Sequence, residues 1–414
     1  MKIVDALFTV GVSCFVHQDR EAIRRGARPN GYLYDGNPII PGFSTITQPA
    51  GTVSIQLLLE DGSVAFGDCA DVILAGYAGR DRPFLPHEHM ETLTGTIRES
   101  LRGRTLCGFR AMAQEYDAMQ VGGRPLHMAI RYGLSQALLH AHALAARVTM
   151  AEIVASEYET DIVSERLPIL SSCMRDNHLL HDRMILKRAD ILPHSSFGDI
   201  DLHIGRDGQI FLDYVRKFAG RVMEIGAADY RPKLHFDVYG SIGSLFNEKP
   251  SDVADYLARV ADAVAPYHVM IESPFVLDSL PAQIAVFAEL RQEMRRKGVD
   301  CTIIADEWCN TLDDIRAWGE AEAVDMVQIK TPDLGSIHNS IEAVLYSRSV
   351  GMGCYLGGTA NETQQSSVVT CHAGLATGPD FLLSKPGMGG DESFSLQVNE
   401  MQRTLDLISW RRSA

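Results

Sequence analysis

Apolar residues recur along this chain with two different rhythms. Before about residue 160 the pattern does not repeat. Residues 51 to 68 alternate as a strand pair around Asp61-Gly62, a dipeptide that accepts the positive φ of a tight hairpin turn. One helical pattern begins near Pro86, and a second carries Met128, Leu134, Leu138, Ala141 and Ala145 on one stripe. From about Leu167 short apolar runs alternate with longer amphipathic ones. The runs Leu167 to Leu170, Met184 to Leu186, Lys233 to Tyr239, His268 to Glu272, Cys301 to Asp306, Asp325 to Lys330, Cys354 to Gly357 and Phe381 to Leu383 predict strands. Asp252 to Ala265, Ala282 to Lys297, Leu312 to Ala321 and Ile337 to Arg348 predict helices between them.

Strand-helix alternation implies parallel strands, because each crossover needs about a dozen residues. Eight such strands fit a closed (β/α)8 barrel. The rival, a doubly wound open sheet, lacks support, since no Gly-x-Gly-x-x-Gly follows any strand. The expected organisation is therefore an α/β chain with a small α+β domain over residues 1–160 and a barrel over residues 161–414. No low-complexity linker separates them, which predicts close packing.

A length of 414 residues with 46% hydrophobic content supports a large core. The net charge of -15 argues against nucleic-acid or anionic-membrane partners and leaves small molecules as the expected ones. Eight scattered cysteines without a C-x-x-C pair read as free thiols in a reducing cytosol. Neither a signal peptide nor an apolar run of about 18 residues is evident, so a cytoplasmic location is expected.

Three predicted strands finish on an acid: Asp237, Glu272 and Asp306, each about 35 residues from the next. In a parallel barrel all strand C-termini share the face where active sites form. One reading makes these acids caps for the helices that follow. The other has them converge, where they repel one another unless a cation lies between, and an all-oxygen set suits Mg2+. Glu307 follows Asp306 directly, which leaves open which of the two points inward. One unit later, Gln328 and Lys330 sit two apart on one strand face. Lys330 is then either a solvated strand end or a base in a pocket. The pairs His87 with His89, His140 with His142 and His178 with His181 read as structural or solvated.

The strings Met1-Lys2-Ile3-Val4-Asp5, Ala129-Ile130-Arg131-Tyr132-Gly133, Ala305-Asp306-Glu307-Trp308-Cys309-Asn310-Thr311, Val327 to Gly335, Gly357-Gly358-Thr359 and Lys385 to Gly389 resemble those of the methylaspartate ammonia-lyase family, within the enolase superfamily. The resemblance implies an enolase-like modified (β/α)8 TIM barrel with an N-terminal α+β capping domain, assembled as a homodimer. It implies Mg2+ on Asp237, Glu272 and Asp306, with Lys330 as the base and His194 opposite it. Gln328, Thr359 and His194 match positions that hold substrate carboxylates, and Leu383 is expected in the same pocket. Ile73, Ser172 and Ala360 stand where the family carries Gln, Gln and Cys, so the substrate shell is expected to have lost polar contacts.

These residues suit removal of a proton beside a carboxylate, in which a cation stabilises the developing dianion. A Lys base beside Mg2+ is a pattern known for enolase-superfamily sites. Burial and the cation are expected to lower the Lys330 pKa. Expulsion of ammonia or an amine from the next carbon would then make the enzyme a carbon-nitrogen lyase of 3-methylaspartate or a related amino acid. The alternatives are a racemase or dehydratase of a carboxylic acid, and a catalytically silent relative.

Overall fold

The structure, a computed structural model, describes residues 1–413. Its N-terminal part is built on a three-stranded antiparallel sheet of β1 (Ile3–Gln18), β2 (Thr47–Leu59) and β3 (Val64–Cys69), with β2 in the middle. The β2–β3 hairpin turns where expected: Gly62 has φ 87°, and Asp61 Oδ1 accepts from the Ser63 amide and hydroxyl at 2.9 and 2.6 Å. Helix α1 (Met128–Ala146) lies against this sheet. It begins where His127 Nδ1 caps the Ala129 amide and ends on Arg147 in the left-handed region.

The stripe on α1 is wider than its periodicity suggests, because the helix is buried on two sides. One side meets β3 so closely that a Cβ on Gly67 would stand 2.1 Å from Gly133 O and 2.6 Å from Ala137 N. The other meets the barrel, where Ser135 Oγ accepts from the Ile337 amide at 2.8 Å and Tyr132 Oη donates to Glu362 at 2.8 Å.

Eight parallel strands close the barrel: β4 (Ile169–Leu170), β5 (Ile191–Ser196), β6 (Lys233–Asp237), β7 (Val269–Glu272), β8 (Cys301–Ala305), β9 (Met326–Ile329), β10 (Gly353–Leu356) and β11 (Phe381–Leu383). Leu382 paired with Ile169 completes the circle. Helices Pro250–Val264, Leu280–Lys297, Leu312–Glu320 and Ile337–Ser349 fall where the periodicity placed them.

One strand was misplaced. Met184, Ile185 and Leu186 form the last turn of the helix His178–Leu186, and the second barrel strand is Ile191–Ser196. Pro193 lies inside that strand, and proline there disguises a strand as a loop. The pairing with β6 breaks at this point: Pro193 faces His235 and Ser195 faces Phe236, leaving His194 as an unpaired bulge with φ 45°. A bulge turns one side chain out of the strand alternation.

Met270, Ile304 and Met326 join Ile191, Tyr355, Phe381 and others in an apolar cluster inside the barrel. Each of those three lies two residues before a polar group at the mouth: Glu272, Asp306 and Gln328. Period-2 alternation therefore sets the inward phase and selects Asp306 over Glu307.

The tight crossing of Gly67 over α1 leaves no room for a methyl group. Gly67→Ala is expected to destabilise the fold by about 1–3 kcal/mol through overpacking. The denaturant midpoint measures this, and an unchanged midpoint would show the crossing to be slack.

Candidate active site

The mouth of the barrel holds a cavity of about 380 Å³, roofed by the N-terminal domain. Asp237 and Glu272 are the last residues of β6 and β7, and Asp306 follows β8 by one residue. All three are buried, and each can present an oxygen within 4.8 Å of those of the other two.

That proximity perturbs all three groups. Burial, then the charges of Glu272 and Asp306, pushes Asp237 well above the usual carboxylate range. Burial also lifts Asp306 to about 7, although Lys330 opposes it. Glu272 responds the other way. Burial would raise it, but the His235 contact and other donors outweigh that and hold it at about 2. Tyr355 Oη and Gln328 Nε2 each donate to Glu272 at 2.6 Å, and His235 Nε2 lies 2.8 Å from its Oε2. Buried carboxylates that repel one another form a site for a hard cation, and the donor set of Asp237, Glu272 and Asp306 is oxygen alone. His194, His235 and Glu272 form a second close group, which offers two imidazoles instead.

Lys330 follows β9 by one residue, with Nζ 2.6 Å from both oxygens of Asp306. Burial does push its pKa down, as expected. The Asp306 carboxylate, joined by the charges of Glu307 and Asp333, more than offsets that, and the net direction is upward. Whether Lys330 carries a free amine thus depends on what else Asp306 binds.

His194 stands on the other wall. Desolvation dominates its environment and lowers its pKa to about 4, so the imidazole is neutral near pH 7. Its Nδ1 lies 3.4 Å from Ser172 Oγ. A neutral imidazole and a lysine on opposite walls can serve opposite faces of one bound molecule.

The cavity brings together every residue singled out for substrate: Ile73, Ser172, Gln328, Thr359, Ala360 and Leu383 all line it. Their roles are uneven. Gln328 spends its amide on Glu272, and its Oε1 is buried without a partner. Thr359 Oγ1 accepts from the Ile73 amide at 3.1 Å, which leaves its own hydroxyl hydrogen for another acceptor. Behind it, Glu362 Oε2 accepts from the Thr359 amide at 3.0 Å and pairs with buried Lys385 at 2.9 Å. A Cβ on Gly358 would stand 2.0 Å from Glu362 Oε2. Gly358 therefore makes room for this pair, and Gly357, whose Cβ would stand 2.3 Å from Gln328 Oε1, makes room for that side chain.

Other site residues escaped the sequence reading. His235 shares a strand face with Asp237, so the alternation that found the acid could have found it as well. Arg80, Phe15 and Met174 also line the cavity but come from irregular or N-terminal segments with no informative period. The paired histidines make local contacts: His140 accepts from the Phe66 amide, His142 contacts Leu138 O, and His89 stacks on Phe84.

Comparison with known proteins gives a whole-chain match. Family models for the methylaspartate ammonia-lyase N-terminus and C-terminus match residues 1–159 and 161–410. The chain is 44% identical to methylaspartate ammonia-lyase 2 of Carboxydothermus hydrogenoformans, covering 99% of each. It is 41% identical to the enzyme of Clostridium tetanomorphum over 100% of both. Among solved structures, the Citrobacter amalonaticus enzyme containing (2S,3S)-3-methylaspartic acid superposes with a TM-score of 0.96 at 41% identity, covering 99% of this chain and 100% of that one. An Mg complex of the β-methylaspartase from Clostridium tetanomorphum gives 0.94 at 41% identity over 99% and 100%. Muconate lactonizing enzyme from Pseudomonas putida shares the fold at 16% identity, with a TM-score of 0.61 over 91% of this chain and 85% of that one.

The His194 environment carries a measurable signature. Its imidazole should titrate near 4 rather than at the ordinary 6.5. Because the folded value lies below the unfolded one, its contribution to stability is intact above pH 6.5 and is lost as pH falls through about 4. Imidazole NMR titration checks the value, and His194→Asn should flatten that part of the stability profile. A titration at 6.5 would mean that water reaches the ring.

Proposed function

This chain belongs to the methylaspartate ammonia-lyase family, and from that membership we infer that it is a carbon-nitrogen lyase that eliminates ammonia from 3-methylaspartate or a related amino acid. The observation that carries the reading is the pairing of Lys330 with the three-carboxylate cluster in a cavity where His194 faces Lys330 from the strand four places around the barrel. Racemisation and dehydration begin with the same proton abstraction, but similarity to ammonia-lyases over the whole chain does not favour them.

Asp237, Glu272 and Asp306 would hold Mg2+, a choice supported by the all-oxygen donor set and by the Mg complex of the relative. When bound, the ion supplies Lewis-acid stabilisation of negative charge on a substrate carboxylate. The chain's own residues do the rest. Lys330 Nζ accepts the proton from the carbon beside that carboxylate. The released electron pair moves into the carboxylate as an ene-diolate and returns to form a C=C bond as the amine leaves the next carbon. Thr359, with its hydroxyl hydrogen uncommitted, donates to a substrate carboxylate, and Gln328 fixes the orientation of Glu272. His194, neutral at working pH, meets the substrate from the opposite face.

The same reading takes residues 1–160 as a cap on a barrel of residues 161–414, the assembly as a homodimer and the compartment as the cytoplasm. The family resemblance supports the first two, and eight free cysteines support a reducing compartment. The substrate shell sets the finer specificity. Ile73 sits with Phe15, Val72, Leu74 and Leu383 around the cavity, an apolar wall that favours a bulkier side chain or a substituted amine over 3-methylaspartate.

With Mg2+ present, a β-amino diacid should yield an unsaturated diacid, followed by its ultraviolet absorbance. Lys330→Ala should lower turnover by about 10²- to 10⁴-fold, and chelation of the metal should abolish it. Solvent deuterium entering the substrate without release of ammonia would instead establish a racemase. Restoring one polar contact with Ile73→Gln is expected to raise kcat/KM for 3-methylaspartate by about tenfold, near the lower end of what a buried polar contact contributes.

A further inference from the structure

The segment joining β3 to the helix that starts at Pro86 is anchored in the N-terminal domain yet reaches into the barrel mouth. At its stems, Asp71 accepts from the Phe84 amide at 2.8 Å and contacts His17 Nε2 at 2.7 Å, while Asp81 accepts from the Met128 amide at 2.9 Å. Between those anchors, Ala78 O accepts from Asn310 Nδ2 at 2.6 Å. Arg80 goes further. Its Nη1 donates to Glu307 at 2.8 Å and its Nε donates to Asp333 at 2.9 Å, all three side chains being at most 2% exposed.

These two acids are in informative places. Glu307 is bonded directly to Asp306. The Asp333 amide donates to Lys330 O at 3.0 Å, so Asp333 closes the turn that begins at Lys330. One guanidinium from the N-terminal domain thus spans the loop bearing the third carboxylate and the turn bearing the base. Its Nη2 has no hydrogen-bond partner, and Arg80 lines the same cavity.

A buried ionic cluster is a poor device for stability alone, because desolvating its charges offsets their attraction and apolar packing of similar volume often does as well. What a guanidinium adds is direction: a planar fork with fixed angles holds two acceptors in one relative orientation. The segment that carries Arg80 also carries Ile73, whose amide donates to Thr359.

We propose that Arg80 is a positioning residue for the elimination, setting Lys330 against Asp306 from the N-terminal domain. The inference rests on the reading of Lys330 as the base. Substrate contact through Ile73 and alignment of the base are then made by a single segment.

The test compares Arg80→Lys and Arg80→Met with the unaltered full-length protein, using 3-methylaspartate bearing protium or deuterium at the abstracted position. Misplacement of the base should lower kcat by about 10²-fold, with KM changed less than about threefold. The isotope effect on kcat should rise as proton abstraction becomes limiting. Arg80→Lys, which keeps the charge and loses the fork, should not rescue the rate, and it supplies the test if Arg80→Met fails to fold. Normal kcat and an unchanged isotope effect in a folded variant, even with a lowered Tm, would overturn the proposal and leave Arg80 structural. Lys330→Ala separates the two readings. If it retains turnover, the underlying function fails; if it is inactive while the Arg80 variants turn over normally, only this inference fails.

Discussion

Mutual repulsion among Asp237, Glu272 and Asp306 is the constraint to which the rest of the barrel mouth answers. Three carboxylates buried within a few ångströms cannot all remain ionised in a medium of low dielectric without compensation. The chain compensates unequally. Glu272 gathers Tyr355, Gln328 and His235 and stays ionised, Asp306 leans on Lys330, and Asp237 is left with its pKa raised. The imbalance favours a cation that can be shared among the three. It also links the carboxylate cluster to Lys330, whose amine is bound by an oxygen pair that a cation would claim.

Much of this was legible in the sequence because strand alternation is a strict rule. Acids at the ends of β6 and β7, one just beyond β8, and a lysine just beyond β9 must lie on one rim once the strands are parallel. The choice between Asp306 and Glu307 needed the inward apolar layer beneath, which puts Ile304 two residues before Asp306. Other features obey no such rule. Pro193 hid β5 from the periodicity and left Met184 to Leu186 as the more strand-like run, although those residues end a helix. The upward pull of Asp306 on Lys330 depends on a partner distance that no spacing reveals. Arg80 and Phe15 reach the cavity through tertiary contacts with no local period.

The residues that line the cavity come from different parts of the chain. The acids and Lys330 are fixed by strand ends with apolar packing beneath them. Ile73 and Phe15 come from the N-terminal domain, whereas Ser172 and Ala360 lie on loops at the rim. Residues on such segments can change without disturbing barrel closure or the groups at the strand ends.

Helix α1 has a thermodynamic consequence. It is buried on one side by β3 and on the other by the barrel, where Tyr132 and Ser135 bond to residues from the C-terminal half. Neither part can melt without exposing a face of this helix, so their unfolding free energies are shared rather than separate. The two regions, distinct in architecture, should therefore behave as one cooperative unit, and damage in the sheet of the first would be felt as lost protection of backbone amides in the second.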